Sequence, residues 1–179
     1  NVEFPTLFRQ YFLVLGPFVT LLTPYLIYEA WRGRQAANWR AGFYTALTLL
    51  SVLLLVLAFL VMVGLLVPAY RDTVLRYIGE RGGLARTTPI ILLKRLSHSV
   101  TTIVLLAALT VVISRLLRRP GDDSPSTPYT PATAFALLLI ACGAGITLIP
   151  EFIYLRDNFG VRINTIFKFY YQAWVMFAV

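Results

Sequence analysis

The sequence predicts an all-α protein, a polytopic bundle of transmembrane helices with about five spans visible and the fifth truncated. Three observations predict it. Of 179 residues, 58% are apolar and 13% charged, whereas soluble domains carry roughly 45–50% and about 25%. Mean hydropathy is +0.73. The apolar residues also gather into uncharged blocks, two of them 18 and 30 residues long, and ~20 residues suffice to cross ~30 Å of hydrocarbon. Too few charges remain to cover a water-facing surface, which excludes a water-soluble enzyme. The single cysteine, Cys142, excludes a disulfide scaffold.

The spans follow in order. Tyr11 to Tyr28 carries no charge and anchors the first span, at about 11–30, with Trp31 at the interface and Pro17 and Pro24 predicting a bend. Ala41 to Tyr70 is uncharged and gives the second, at about 41–67, long enough to tilt or project. The third lies at about 96–117 and the fourth at about 132–150. The fifth, about 166–179, ends within an apolar run. With no start methionine before Asn1, the whole of 1–179 is expected to be one transmembrane helical region from a longer chain.

Four connectors join these spans. The first holds Arg32, Arg34 and Arg40 without an acid. In the second, Tyr70, Val74, Tyr77 and Ile78 share one helical face, the pattern of a short helix on the membrane surface, and Gly79, Gly82 and Gly83 end it. Thr88 and Pro89 read as cap and first turn of the helix leading into the third span. The third connector, 120–131, is a Pro-rich polar linker. Charge alone leaves orientation ambiguous, because the even connectors hold more Lys and Arg but mix both signs. Arg115, Arg118 and Arg119 cluster where the third span ends, and the even connectors are expected outside.

The fourth connector carries the chemistry. Pro150 to Lys168 holds Glu151, Arg156, Asp157, Arg162, Asn164 and Lys168 between two apolar runs. Asp157-Asn158-Phe159-Gly160 is a turn, and Asn164 or Thr165 can cap the fifth span. Asn164, Lys168, Tyr171 and Gln172 then form a polar stripe on one helix face. Lys168 either snorkels to the interface or, with Arg156 and Arg162 and a helix N-terminus, binds a phosphate. The arginines can instead pair with Asp157 or Glu151. Those boundary carboxylates suit a proton, a sugar hydroxyl or a divalent cation, and one can serve as a general base; alternatively Asp157 only caps a turn.

Elsewhere the functional signals are thin. No metal-ligand spacing occurs, His98 reads as an interfacial polar residue, and Cys142 sits among small residues that favour close helix packing. No nucleotide loop, catalytic triad or nucleic-acid motif is present, and the net charge of +8 suits lipid head groups or phosphates.

The run E-F-I-Y-L-R-D-N-F-G-V-R-I-N-T-I-F-K-F-Y-Y-Q-A-W, Glu151 to Trp174, resembles the YYY family of uncharacterised bacterial and archaeal membrane proteins. The resemblance implies membership of the C-type glycosyltransferase superfamily and residence in a prokaryotic cytoplasmic membrane. Such enzymes transfer a sugar from a polyprenyl-phosphate carrier at the outer face. It further implies a C-terminal portion, with an acidic-and-histidine loop expected upstream in the longer chain as the place of the catalytic acid. On this reading Asp157 and Glu151 are catalytic. Arg156, Arg162 and Lys168 hold the carrier phosphate, with Asn164 and Gln172 beside them, and Tyr171 and Trp174 line the sugar or lipid side. Membrane lipids are partners and nucleic acid is not. The rival is a non-catalytic subunit of a larger membrane complex. A transporter fits less well, because spans two and four have almost no polar residues at their centres.

Overall fold

The computed structural model describes residues 6–80, 82–118, 130–153 and 163–179, with the side chain of Leu84 left aside. Among them are seven α-helices and one 3₁₀ turn, with no strand. α1 spans Phe8–Arg32, α2 Trp39–Leu66, α3 Pro68–Gly79, α4 Leu84–Ser97, α5 Val100–Leu116, α6 Pro131–Leu148 and α7 Ile163–Ala178; the 3₁₀ turn, Ile149–Glu151, extends α6.

The ends follow local chemistry. Asn38 caps α2 by accepting the Ala41 amide at 3.1 Å, and Thr130 caps α6 by accepting the Thr133 amide at 3.2 Å, ahead of Pro131 in the first turn. α2 stops at Leu66 because Pro68 opens α3. Gly82 and Gly83, with φ of +82° and +89°, turn the chain between α3 and α4 through a region other residues avoid.

Packing centres on α5 and α6. α5 lies against α1, α2 and α6, while α7 packs on α6. Tyr11, Leu15 and Phe18, at helical spacing on α1, meet Leu105 and Leu109 of α5, Leu148 of α6 and Tyr170 of α7 in the main core. At two glycines one helix approaches another closely. A Cβ at Gly42 would stand 2.5 Å from the Thr110 carbonyl oxygen, and one at Gly143 would stand 2.3 Å from the Phe177 ring. Of the small residues around Cys142, Gly143 serves close helix packing and Gly145 does not, since a Cβ there would meet nothing within 4 Å; Cys142 itself is exposed.

Among the described residues the expected count of about five spans is not confirmed. There, three helical stretches are each long and apolar enough to cross a membrane: Phe8–Arg32, Trp39–Leu66 and Pro131–Glu151. A fourth results if Ala85–Ser97 and Val100–Leu116, bent by 57°, form one broken crossing. α5, with 17 residues, reaches about 26 Å by itself, short of the ~30 Å needed.

Two further expectations shift. The helix before the third span starts at Leu84, with Gly83 rather than Thr88 as its cap and Pro89 inside it. The third span does not begin at Leu96: the helix breaks at His98 and Ser99, and α5 starts at Val100. α3 is present as predicted, but Val74, Tyr77 and Ile78 are half-buried, with Val74 beside Gly64 of α2. Its apolar face therefore meets protein, and of the four residues only Tyr70 is fully exposed. The Pro-rich linker lies outside the described residues apart from Thr130 and Pro131.

Candidate functional site

Glu151 stands where four elements converge. The 3₁₀ turn directs its side chain inward, where it is completely buried, and Oε2 accepts the backbone amide of Thr6 at 2.9 Å. Thr6 is held in turn by Thr101 at the start of α5, whose hydroxyl donates to the Thr6 carbonyl at 2.8 Å. Arg95 of α4 donates to the backbone carbonyl of Glu151 at 2.9 Å and lays its guanidinium over the Phe152 ring, 4.6 Å from the centroid. Glu151 therefore ties the entry of α1 to the exit of α6, and Arg95 closes over the same turn. Nearby, the Tyr11 hydroxyl lies 3.4 Å from that of Thr147, and the Tyr11 and Tyr170 rings meet edge-on at 5.7 Å.

The polar stripe of α7 faces the other way. Asn164, Lys168, Tyr171 and Gln172 are all exposed on the outer side of the helix. Lys168, Tyr171 and Gln172 line a groove of about 360 Å³ with Ile146 of α6 and the rings of Phe167 and Phe169. Across the Phe167–Tyr171 ridge, where the two rings stack at 6.4 Å, a second groove of about 380 Å³ runs between α7 and Val14 of α1. Trp174 lines that second groove. Its indole packs edge-on against Phe18 at 4.7 Å and donates to the Val14 carbonyl at 3.1 Å.

The predicted residues thus divide. Lys168, Tyr171 and Gln172 come together, Tyr171 and Trp174 share the neighbouring groove, and Glu151 lines neither. Asn164 lies one turn before Lys168 on the same face, within the first turn of a helix that already includes Ile163, so the helix begins ahead of the expected cap at Asn164 or Thr165. Arg156, Asp157, Arg162 and the turn at 157–160 lie outside the described residues. Among the described residues no group of three His, Cys, Asp or Glu is placed to hold a metal. His98 falls at the break between α4 and α5, its Nδ1 2.8 Å from the Lys94 carbonyl oxygen, in keeping with a polar boundary residue.

Sequence reasoning passed over Arg95, and also a buried ion pair at the opposite end of the bundle. Arg115 of α5 donates from Nε and Nη2 to Glu29 Oε2 of α1 at 3.2 and 2.9 Å. A signal for it existed. Alternating crossings make the first and third spans parallel, and one ends in an isolated acid where the other ends in a base.

Comparison with curated proteins and with solved structures finds no match. A family model described as an uncharacterised membrane protein, DUF2298, matches residues 2–177. Taken with helices apolar and long enough to cross a bilayer, that match makes the chain an integral membrane protein, and it belongs to the uncharacterised membrane protein family DUF2298.

Proposed function

We propose that this chain is the lipid-phosphate-binding part of a glycosyltransferase-like membrane protein that uses a polyprenyl-phosphate-linked sugar. The observation that carries the reading is the groove of Lys168, Tyr171 and Gln172 beside Phe167, Phe169 and Ile146. It sets one cation, one amide and one phenol against an apolar wall on the lipid side of the bundle. A phosphate that arrives on a hydrocarbon chain needs that pairing: charge and hydrogen-bond donors for the head, apolar surface for the tail.

The resemblance of Glu151–Trp174 to the YYY family supplies the reaction class, and with it a prokaryotic cytoplasmic membrane with the even connectors outside. In the transfer, an acceptor hydroxyl attacks the anomeric carbon as a carboxylate takes its proton, and the bond to the carrier phosphate breaks. Asp157 is assigned the proton, and Arg156 and Arg162 join Lys168 on the departing phosphate. Glu151, enclosed and bonded to the Thr6 amide, is assigned to positioning: it fixes the turn from which that loop departs.

Native mass spectrometry of the full-length protein, gently extracted from its own membrane, tests this. A retained polyprenyl-phosphate or its glycosylated form, lost in Lys168→Ala, is expected. A stoichiometric assembly with other subunits and no such lipid would overturn it in favour of a structural subunit.

A further inference from the structure

We infer that α4 is immersed in the hydrocarbon of the bilayer, with its outward face in contact with acyl chains, and enters the membrane with α5 as one broken helix. The inference is independent of the lipid-phosphate reading.

The argument begins with the polarity of two neighbouring helices. α3 turns Val74, Tyr77 and Ile78 toward protein and exposes Arg71, Asp72, Thr73 and Arg76 along with Tyr70 and Leu75, the mixed face of a helix at the level of the head groups. α4 is arranged the opposite way. Ile90, Leu92, Leu93 and Leu96 point outward with 54, 58, 67 and 61% of their surface exposed. Its inward side carries the buried Thr87 and the half-buried Lys94 and Arg95, with Arg95 bonded to the Glu151 carbonyl. Arg86, in the first turn, is exposed, but from Ile90 to Leu96 the cations turn inward and the leucines outward, the polarity of a segment solvated by hydrocarbon. The apolar strip also continues past the break into exposed Val100 and Ile103 of α5, which makes one lipid-facing surface of the two helices.

The break itself is a second, separate observation. A helix interrupted in water can leave its last carbonyls to solvent, whereas one interrupted in hydrocarbon must satisfy them from within. Here side chains join backbone amides on two of them. Ser97 Oγ donates to the Lys94 carbonyl at 3.0 Å, His98 Nδ1 lies 2.8 Å from the same oxygen, and Ser99 Oγ donates to the Leu96 carbonyl at 2.8 Å. Three consecutive polar side chains thus stand at the 57° bend, on two carbonyls that also accept the His98 and Ser99 amides at 3.2 and 3.3 Å, so neither carbonyl needs water. At 14 residues, α4 is about 21 Å long, too short to cross alone but sufficient to reach from one interface well into the acyl region.

Cys142 is the only cysteine of these 179 residues. With it and every other cysteine of the full-length protein changed to Ser, the protein would carry a nitroxide at Leu93→Cys or Leu96→Cys, in phosphatidylcholine nanodiscs. Leu55→Cys on α2 serves as the lipid standard and Asp72→Cys on α3 as the aqueous standard. Oxygen collisions should exceed those of a water-soluble nickel chelate at 93 and 96, as at 55. Nickel collisions matching those at 72 would overturn the inference. Protection from both reagents would overturn it too, by showing that a second copy or another protein covers the face. Monodisperse elution of each labelled variant excludes misfolding, and two positions on the face guard against the failure of one.

Discussion

Arg115 directs two guanidinium nitrogens to one oxygen of Glu29, at 3.2 Å from Nε and 2.9 Å from Nη2, with both side chains nearly enclosed. The pair joins the ends of α1 and α5. It sits against Gly33, where a Cβ would stand 1.9 Å from the guanidinium carbon. Removing one partner leaves a desolvated charge, a cost of about 3 kcal/mol or more, whereas replacing both with apolar residues removes the charge altogether. Glu29→Gln and Arg115→Met should each lower the melting temperature in detergent, followed by intrinsic tryptophan fluorescence. The double variant Glu29→Leu with Arg115→Met should recover most of the loss. Single variants that melt with the wild type would show that the pair contributes nothing.

Two glycines should respond oppositely to the same substitution. At Gly42 a Cβ meets backbone of α5, 2.5 Å from the Thr110 oxygen and 2.9 Å from the Ser114 nitrogen, so the two helices would have to separate. At Gly145 a Cβ meets nothing within 4 Å, and alanine there gains helix propensity of up to about 1 kcal/mol. Gly42→Ala should therefore melt lower than wild type and Gly145→Ala at the same temperature or higher. Equal shifts would argue against the close crossing of α2 and α5.

Glu151 separates charge from geometry. Its Oε2 accepts the Thr6 amide, and glutamine offers a carbonyl oxygen of the same reach. Alanine offers nothing and strands a buried donor, at a cost of about 1–3 kcal/mol. Glu151→Gln should keep both the melting temperature and the bound lipid, while Glu151→Ala should lose stability. If Glu151→Gln sheds lipid at an unchanged melting temperature, the carboxylate acts in chemistry as well as in positioning.

What the sequence discloses and what it withholds follow from how far apart the partners lie. α1, α2 and α6 are legible because each is a long uncharged run, and the stripe of α7 because its spacing is local. The start of the third span is not, since no Asp, Glu, Lys or Arg interrupts the sequence from Leu96 to Ser114, while Ser97, His98 and Ser99 stand at a break in the helix with bonds that composition cannot reveal. Glu151 reads as a carboxylate at a span boundary, and its enclosure is not legible because its Thr6 partner is 145 positions away. Arg95 was one basic residue among six in its connector. Only the folded 3₁₀ turn gives it a carbonyl and a ring to hold.

The most informative series is at Lys168. If the groove holds a phosphate, the ammonium contributes a charge-assisted hydrogen bond of about 1.5–3 kcal/mol, and its loss weakens binding roughly ten- to hundredfold. Lys168→Arg keeps the charge and should retain most of the lipid, whereas Lys168→Gln keeps length and polarity but should lose it. Gln172→Ala removes a neutral partner and should cost less. Tyr171→Phe spares the stacked contact with Phe167 and removes only the hydroxyl. Lipid retention per protein, read by native mass spectrometry on the same membranes, orders the four variants. A lysine that merely snorkels to the interface would give one level of retention for all of them, because arginine and glutamine can both reach the head groups without a phosphate to distinguish them.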